Sequence, residues 1–82
     1  MNDIKHILTK KLISYTKILE QDPQDLQRAN KIIELLSFAE MFKFPIDLYY
    51  SQNTIVKLKK EGKLCDNELI IILLTKLNLN LK

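Results

Sequence analysis

One glycine and two prolines punctuate the 82 residues of this chain, and that scarcity constrains the fold more than any other feature. An all-β domain reverses direction about every ten residues, and its tight turns draw heavily on Gly, Pro and Asn. Here the apolar-periodic stretches are long and the breakers between them few, so the elements read as helices. Hydrophobic residues make up 46% of the chain, with no Trp among them, and Leu and Ile supply most of that fraction. Such side chains suit helix-on-helix packing. The expected fold class is all-α, a compact three- or four-helix bundle with successive helices antiparallel because the connections are short. It forms one small domain that buries roughly 60–65% of its unfolded surface.

Four segments carry the pattern. Asn2 or Asp3 caps a first helix over about 3–20, where Ile4, Leu8, Leu12, Tyr15 and Leu19 recur at helical spacing and form one stripe. Lys10 and Lys17 fall on the opposite, solvated side. Asp22 reads as the N-cap of a second helix over 23–43, with Pro23 in its first position and Pro45 beyond its end. Its apolar residues cover about half the circumference, which places it centrally against two neighbours. Phe38 to Phe44 is apolar nearly all round and is expected to form one end of the core. Asp47 caps a third helix over 48–61, and Gly62 fits the left-handed residue that ends it. Leu48, Ile55 and Leu58 face one way, while Tyr49 and Val56 form a separate stripe and Tyr50 lies apart. Asp66 can cap a fourth helix over 67–77, in which Leu69 to Leu74 is apolar on every face. That helix is either central or covered by something else. The alternating tail, Leu77 to Leu81, lacks a partner strand.

Counting excludes most site chemistry. His6 is the only histidine and Cys65 the only cysteine. A closed zinc site needs about four N or S ligands, so no Cys/His zinc site forms within one chain. A lone cysteine makes no intramolecular disulfide, and a reducing compartment fits best. One glycine cannot supply a phosphate-cradling loop. The carboxylates gather in two groups, Glu20, Asp22, Asp25 and Glu61, Asp66, Glu68. Both bracket helix boundaries, where caps and dipole partners are expected. No cofactor, metal or catalytic residue is expected. The polar N-terminus and the shortness of Leu69–Leu74 argue against a signal peptide and a membrane span, so the expected location is the cytoplasm.

What remains is surface. The Tyr49/Val56 stripe and the over-apolar fourth helix exceed what a small bundle hides, and leftover apolar area marks a protein partner or a homodimer. The expected partner-binding residues are Tyr49, Tyr50, Val56, Ile70 and Leu73. The alternative is nucleic acid held by Lys57, Lys59, Lys60 and Lys63, with the tyrosines stacking on bases. The net charge of +3, with a single Arg, permits this without requiring it.

Asp25-Leu26, Ile33-Glu34-Leu35-Leu36, Phe44-Pro45-Ile46-Asp47-Leu48-Tyr49 and Gln52-Asn53 together resemble a stretch near the C-terminus of large α-amylase/α-mannosidase-like bacterial proteins. Those carry a catalytic domain of the glycoside hydrolase family fifty-seven type, followed by a helical region. The resemblance covers residues 22–53. The catalytic barrel and its carboxylates are absent here, so it implies a detached helical accessory module and carries over no catalytic residue.

Overall fold

A computed structural model describes residues 3–79. They form four helices, α1 (Ile4–Gln21), α2 (Leu26–Met41), α3 (Tyr49–Lys60) and α4 (Glu68–Lys76), with no strand among the described residues. The all-α bundle expected from the sequence is therefore what forms. α1 packs against α2 and α3, and α2 packs in turn against α4. The two long helices are thus the inner pair, each with two neighbours. Cross-links fix the directions. Asp47 N donates to Thr9 Oγ1, Thr16 meets Ser51, and Lys57 pairs with Glu20, so α1 and α3 run parallel. Lys76 reaches Glu40 at one end of α4, and Gln24 Nε2 reaches the Lys63 carbonyl at the other, so α2 and α4 run parallel too.

Caps explain the boundaries, and three of them move. Asp3 starts α1 by accepting from the Lys5 and His6 amides. Asp22 does not cap α2. Its own amide closes the last turn of α1 on the Ile18 and Leu19 carbonyls, and the chain then needs Pro23 and Gln24 to reverse. Asp25 is the cap instead, accepting from Arg28 N at 3.1 Å. Likewise Asn67, not Asp66, caps α4 through Leu69 N. Asp47 stands one residue before the cap position of α3, which Leu48 occupies, and accepts from Tyr49 N at 3.0 Å, so this helix too starts one residue later than expected.

Three helices end in the same way. Phe44 N, Lys63 N and Leu79 N each bond the carbonyl five residues back, and Lys43, Gly62 and Asn78 occupy the left-handed region with φ of 56°, 70° and 60°. This is the Schellman arrangement. Gly62 adopts it without a Cβ penalty, whereas the exposed Lys43 carries one. Lys43→Gly is expected to raise stability by about 1 kcal/mol and Gly62→Ala to lower it by a similar amount, read as opposite shifts of the urea midpoint. The left-handed Asn78 also turns the tail back onto the bundle. Leu77 is fully buried and Leu79 packs on the core. Residues 80 and 81 of the alternating run lie outside the described residues.

The core draws on all four helices, with Leu12, Leu19, Ile32, Ile55, Leu58 and Leu73 among its fully buried side chains. One polar pair sits inside it. Thr16 Oγ1 donates to the Leu12 carbonyl at 2.7 Å, so at the 2.7 Å contact between the hydroxyls Ser51 must be the donor. Both residues are at most 1% exposed. They set the register of α1 against α3. Thr16→Val leaves the Ser51 proton without that acceptor, at a cost of about 1–2 kcal/mol. A double-mutant cycle with Ser51→Ala is expected to recover about half of that, and purely additive losses would show the pair to be uncoupled.

Candidate interaction surface

The sequence-expected partner residues do not form one surface. Ile70 and Leu73 are 3% and 0% exposed and belong to the core. α4 lies at the edge of the bundle, and those two positions are the side it lays on α2. Its uncovered apolar residues are their neighbours, Ile71 and Ile72. Tyr49 is exposed and Tyr50 and Val56 are half-buried, all on α3. Phe38, Met41 and Phe42 do not form an end of the core. They are 44%, 75% and 56% exposed, and only Ala39 of that turn is buried, because no helix covers that side of α2.

The exposed apolar residues gather instead on the side of the α1/α2 pair away from α3 and α4. At about 100° per residue, Ile4, Ile7, Lys11, Ser14 and Ile18 form one stripe along α1. It is distinct from the buried stripe of Leu8, Leu12, Thr16 and Leu19. Arg28, Lys31, Leu35, Phe38 and Phe42 form the matching stripe along α2. Both repeat at three-four-three-four spacing, the spacing of a coiled-coil seam. The two helices meet just inside the stripes, where the Arg28 guanidinium lies over the Tyr15 ring at 5.7 Å. Arg28 Nε is buried there without a hydrogen-bond partner. Ile4, Ile7 and Ile18 are 40%, 47% and 42% exposed. At the α2 end, the rings of Phe38, Phe42 and Phe44 lie 5.0–5.8 Å apart, so the aromatic platform is held by its own contacts.

The lysine run is divided. Lys57 pairs with Glu20 and Lys63 with Glu61, while Lys59 and Lys60 are exposed. Tyr49 and Tyr50 stand at the opposite end of α3, two to three turns away, so lysines and aromatic rings do not share a patch.

Catalytic parts are not brought together. His6 opens α1 at one end of the bundle. Cys65 lies at the other end and donates its thiol to Gln24 Oε1. Among the described residues, no group of three metal-ligating side chains converges. A cavity of about 280 Å³ between α2, Phe44, Ile46 and Lys76 is open, and its one ammonium–carboxylate pair is Lys76 with Glu40. No described helix is long and apolar enough to cross a membrane. No family model, curated protein or solved structure matches the chain.

The outer α1/α2 surface was readable in principle. Ile4-x-x-Ile7 and Leu35-x-x-Phe38-x-x-x-Phe42 are helical repeats in their own right. They were masked by the stronger core stripe on α1 and by the near-continuous apolar end of α2.

Proposed function

We propose that this chain is a non-enzymatic interaction module of the cytoplasm that binds another protein through the outer face of α1 and α2. The observation that supports this reading most is the pair of seam-spaced stripes on adjacent antiparallel helices, with Ile7, Phe38 and Phe42 left about half in water. Exposed apolar side chains gathered on one face, rather than scattered singly, mark a docking surface. An all-α domain that offers a two-helix groove fits the accessory role that the resemblance over residues 22–53 implies.

Two measurements test the reading. Light scattering over a range of concentrations reads self-association. Capture from native lysate, run in parallel with an Ile7→Gln/Phe42→Gln variant, reads a foreign partner. The expected result is a protein captured by the parent chain and lost with the variant; a dimer that the variant dissociates would make the occupant a second copy and overturn the reading. A clean monomer at high micromolar concentration, with identical recoveries from both chains, sinks the proposal.

A further inference from the structure

We infer that the occupant of the α1/α2 face is an acidic amphipathic helix from another protein, an inference that rests on the interaction reading above and names the partner's chemistry. The ten stripe positions include Lys11, Arg28 and Lys31 and no carboxylate. Among the described residues Lys11 pairs with no acid. Lys31 has only Glu34, at 3.9 Å with both side chains about 60% exposed, a contact that water largely screens. Glu34 borders the α2 stripe and is the one acid beside it among the described residues of α1 and α2; Glu20 and Glu40 are turned instead toward Lys57 on α3 and Lys76 on α4. The face is therefore an apolar strip interrupted by cations, and its complement is a helix whose apolar stripe carries Asp and Glu opposite them.

Geometry favours a helix over the alternatives. From Ile4 to Ile18 the groove runs about 21 Å at 1.5 Å per residue, the length of a four-turn partner. The isoleucines and phenylalanines along it are only 40–56% exposed, and Leu35 less. Each keeps about half its surface packed on its own bundle and the strip holds three cations among its ten positions, so it lacks the wide, freely projecting apolar face that insertion into a bilayer requires. A second copy of the chain, docked by the same face, would bring its own Lys11, Arg28 and Lys31 to an interface whose stripes hold no carboxylate to neutralise them.

The test is selection from a displayed library of helical peptides about 14–18 residues long. Apolar residues are fixed at seam positions and Glu, Lys and Gln are randomised beside them. On the parent chain, Glu is expected to be enriched over Lys at the flanking positions. The selected peptides should bind at least about tenfold more weakly in high salt. On a Lys11→Glu/Lys31→Glu variant the enrichment should invert to Lys. Selected peptides that show no charge bias, yet are lost with Ile7→Gln/Phe42→Gln, would overturn the acidic partner while leaving the docking face intact. No enrichment at all, or cosedimentation with anionic phospholipid vesicles in place of peptide binding, would overturn the inference outright.

Discussion

Leu12→Ala is expected to cost about 3 kcal/mol, a large share of the roughly 4–12 kcal/mol available to a chain of this length. Leu12 is fully buried on α1, the helix that packs against both α2 and α3. Truncating it removes apolar contacts and leaves a cavity that these neighbours cannot both close, since Thr16 and Ser51 hold α1 and α3 in register one turn away. The loss should appear as a lower urea midpoint with an unchanged slope. A loss under about 1 kcal/mol would mean that α1 relaxes freely and that the bundle is less tightly specified than its burial implies.

The Ile7→Gln/Phe42→Gln variant is expected to behave in the opposite way. Each residue already has about half its surface in water, so each substitution should cost no more than about 1 kcal/mol of stability. Gln is a good helix former, so the helices should persist. Partner affinity, in contrast, should fall at least about 100-fold, since a few large anchors account for most of an interface's energy. Denaturation and binding, measured on the same preparation, separate the two effects. A variant that unfolds would place these residues in the core. One that folds and still binds would remove them from the interface.

The split between buried and exposed stripes shows what the sequence does and does not encode legibly. The helices were legible because local rules fix them: Asp3 acts as a cap, Gly62 takes the left-handed turn, and Leu8, Leu12 and Leu19 mark a core face. The starts of α2 and α4 slipped by one to three residues. In each, two or more candidate caps lie close together, and the backbone of the preceding segment decides which is free. Ile70 and Leu73 were misplaced for a different reason. An all-apolar segment has no polar face to orient it, so only its neighbour, α2, determines which side is buried. The same holds for Phe38 and Phe42. Nothing local says whether an apolar helix end meets another helix or solvent, because that depends on four helices closing a core with one side of α1 and α2 left over. Tyr49 was legible as an outward residue, but its distance from the lysines at the far end of α3 emerges only when the helix is laid out in full.

Site-specific photo-crosslinking in the native cells tests the central claim most directly. A photoreactive phenylalanine analogue is placed at position 7 or 42, and separately at the exposed Asn53 on α3 as a control. The outer α1/α2 face as docking surface predicts one discrete, heavier adduct from positions 7 and 42 and none from position 53. The same adduct from all three positions, or an adduct from position 53 alone, would contradict it.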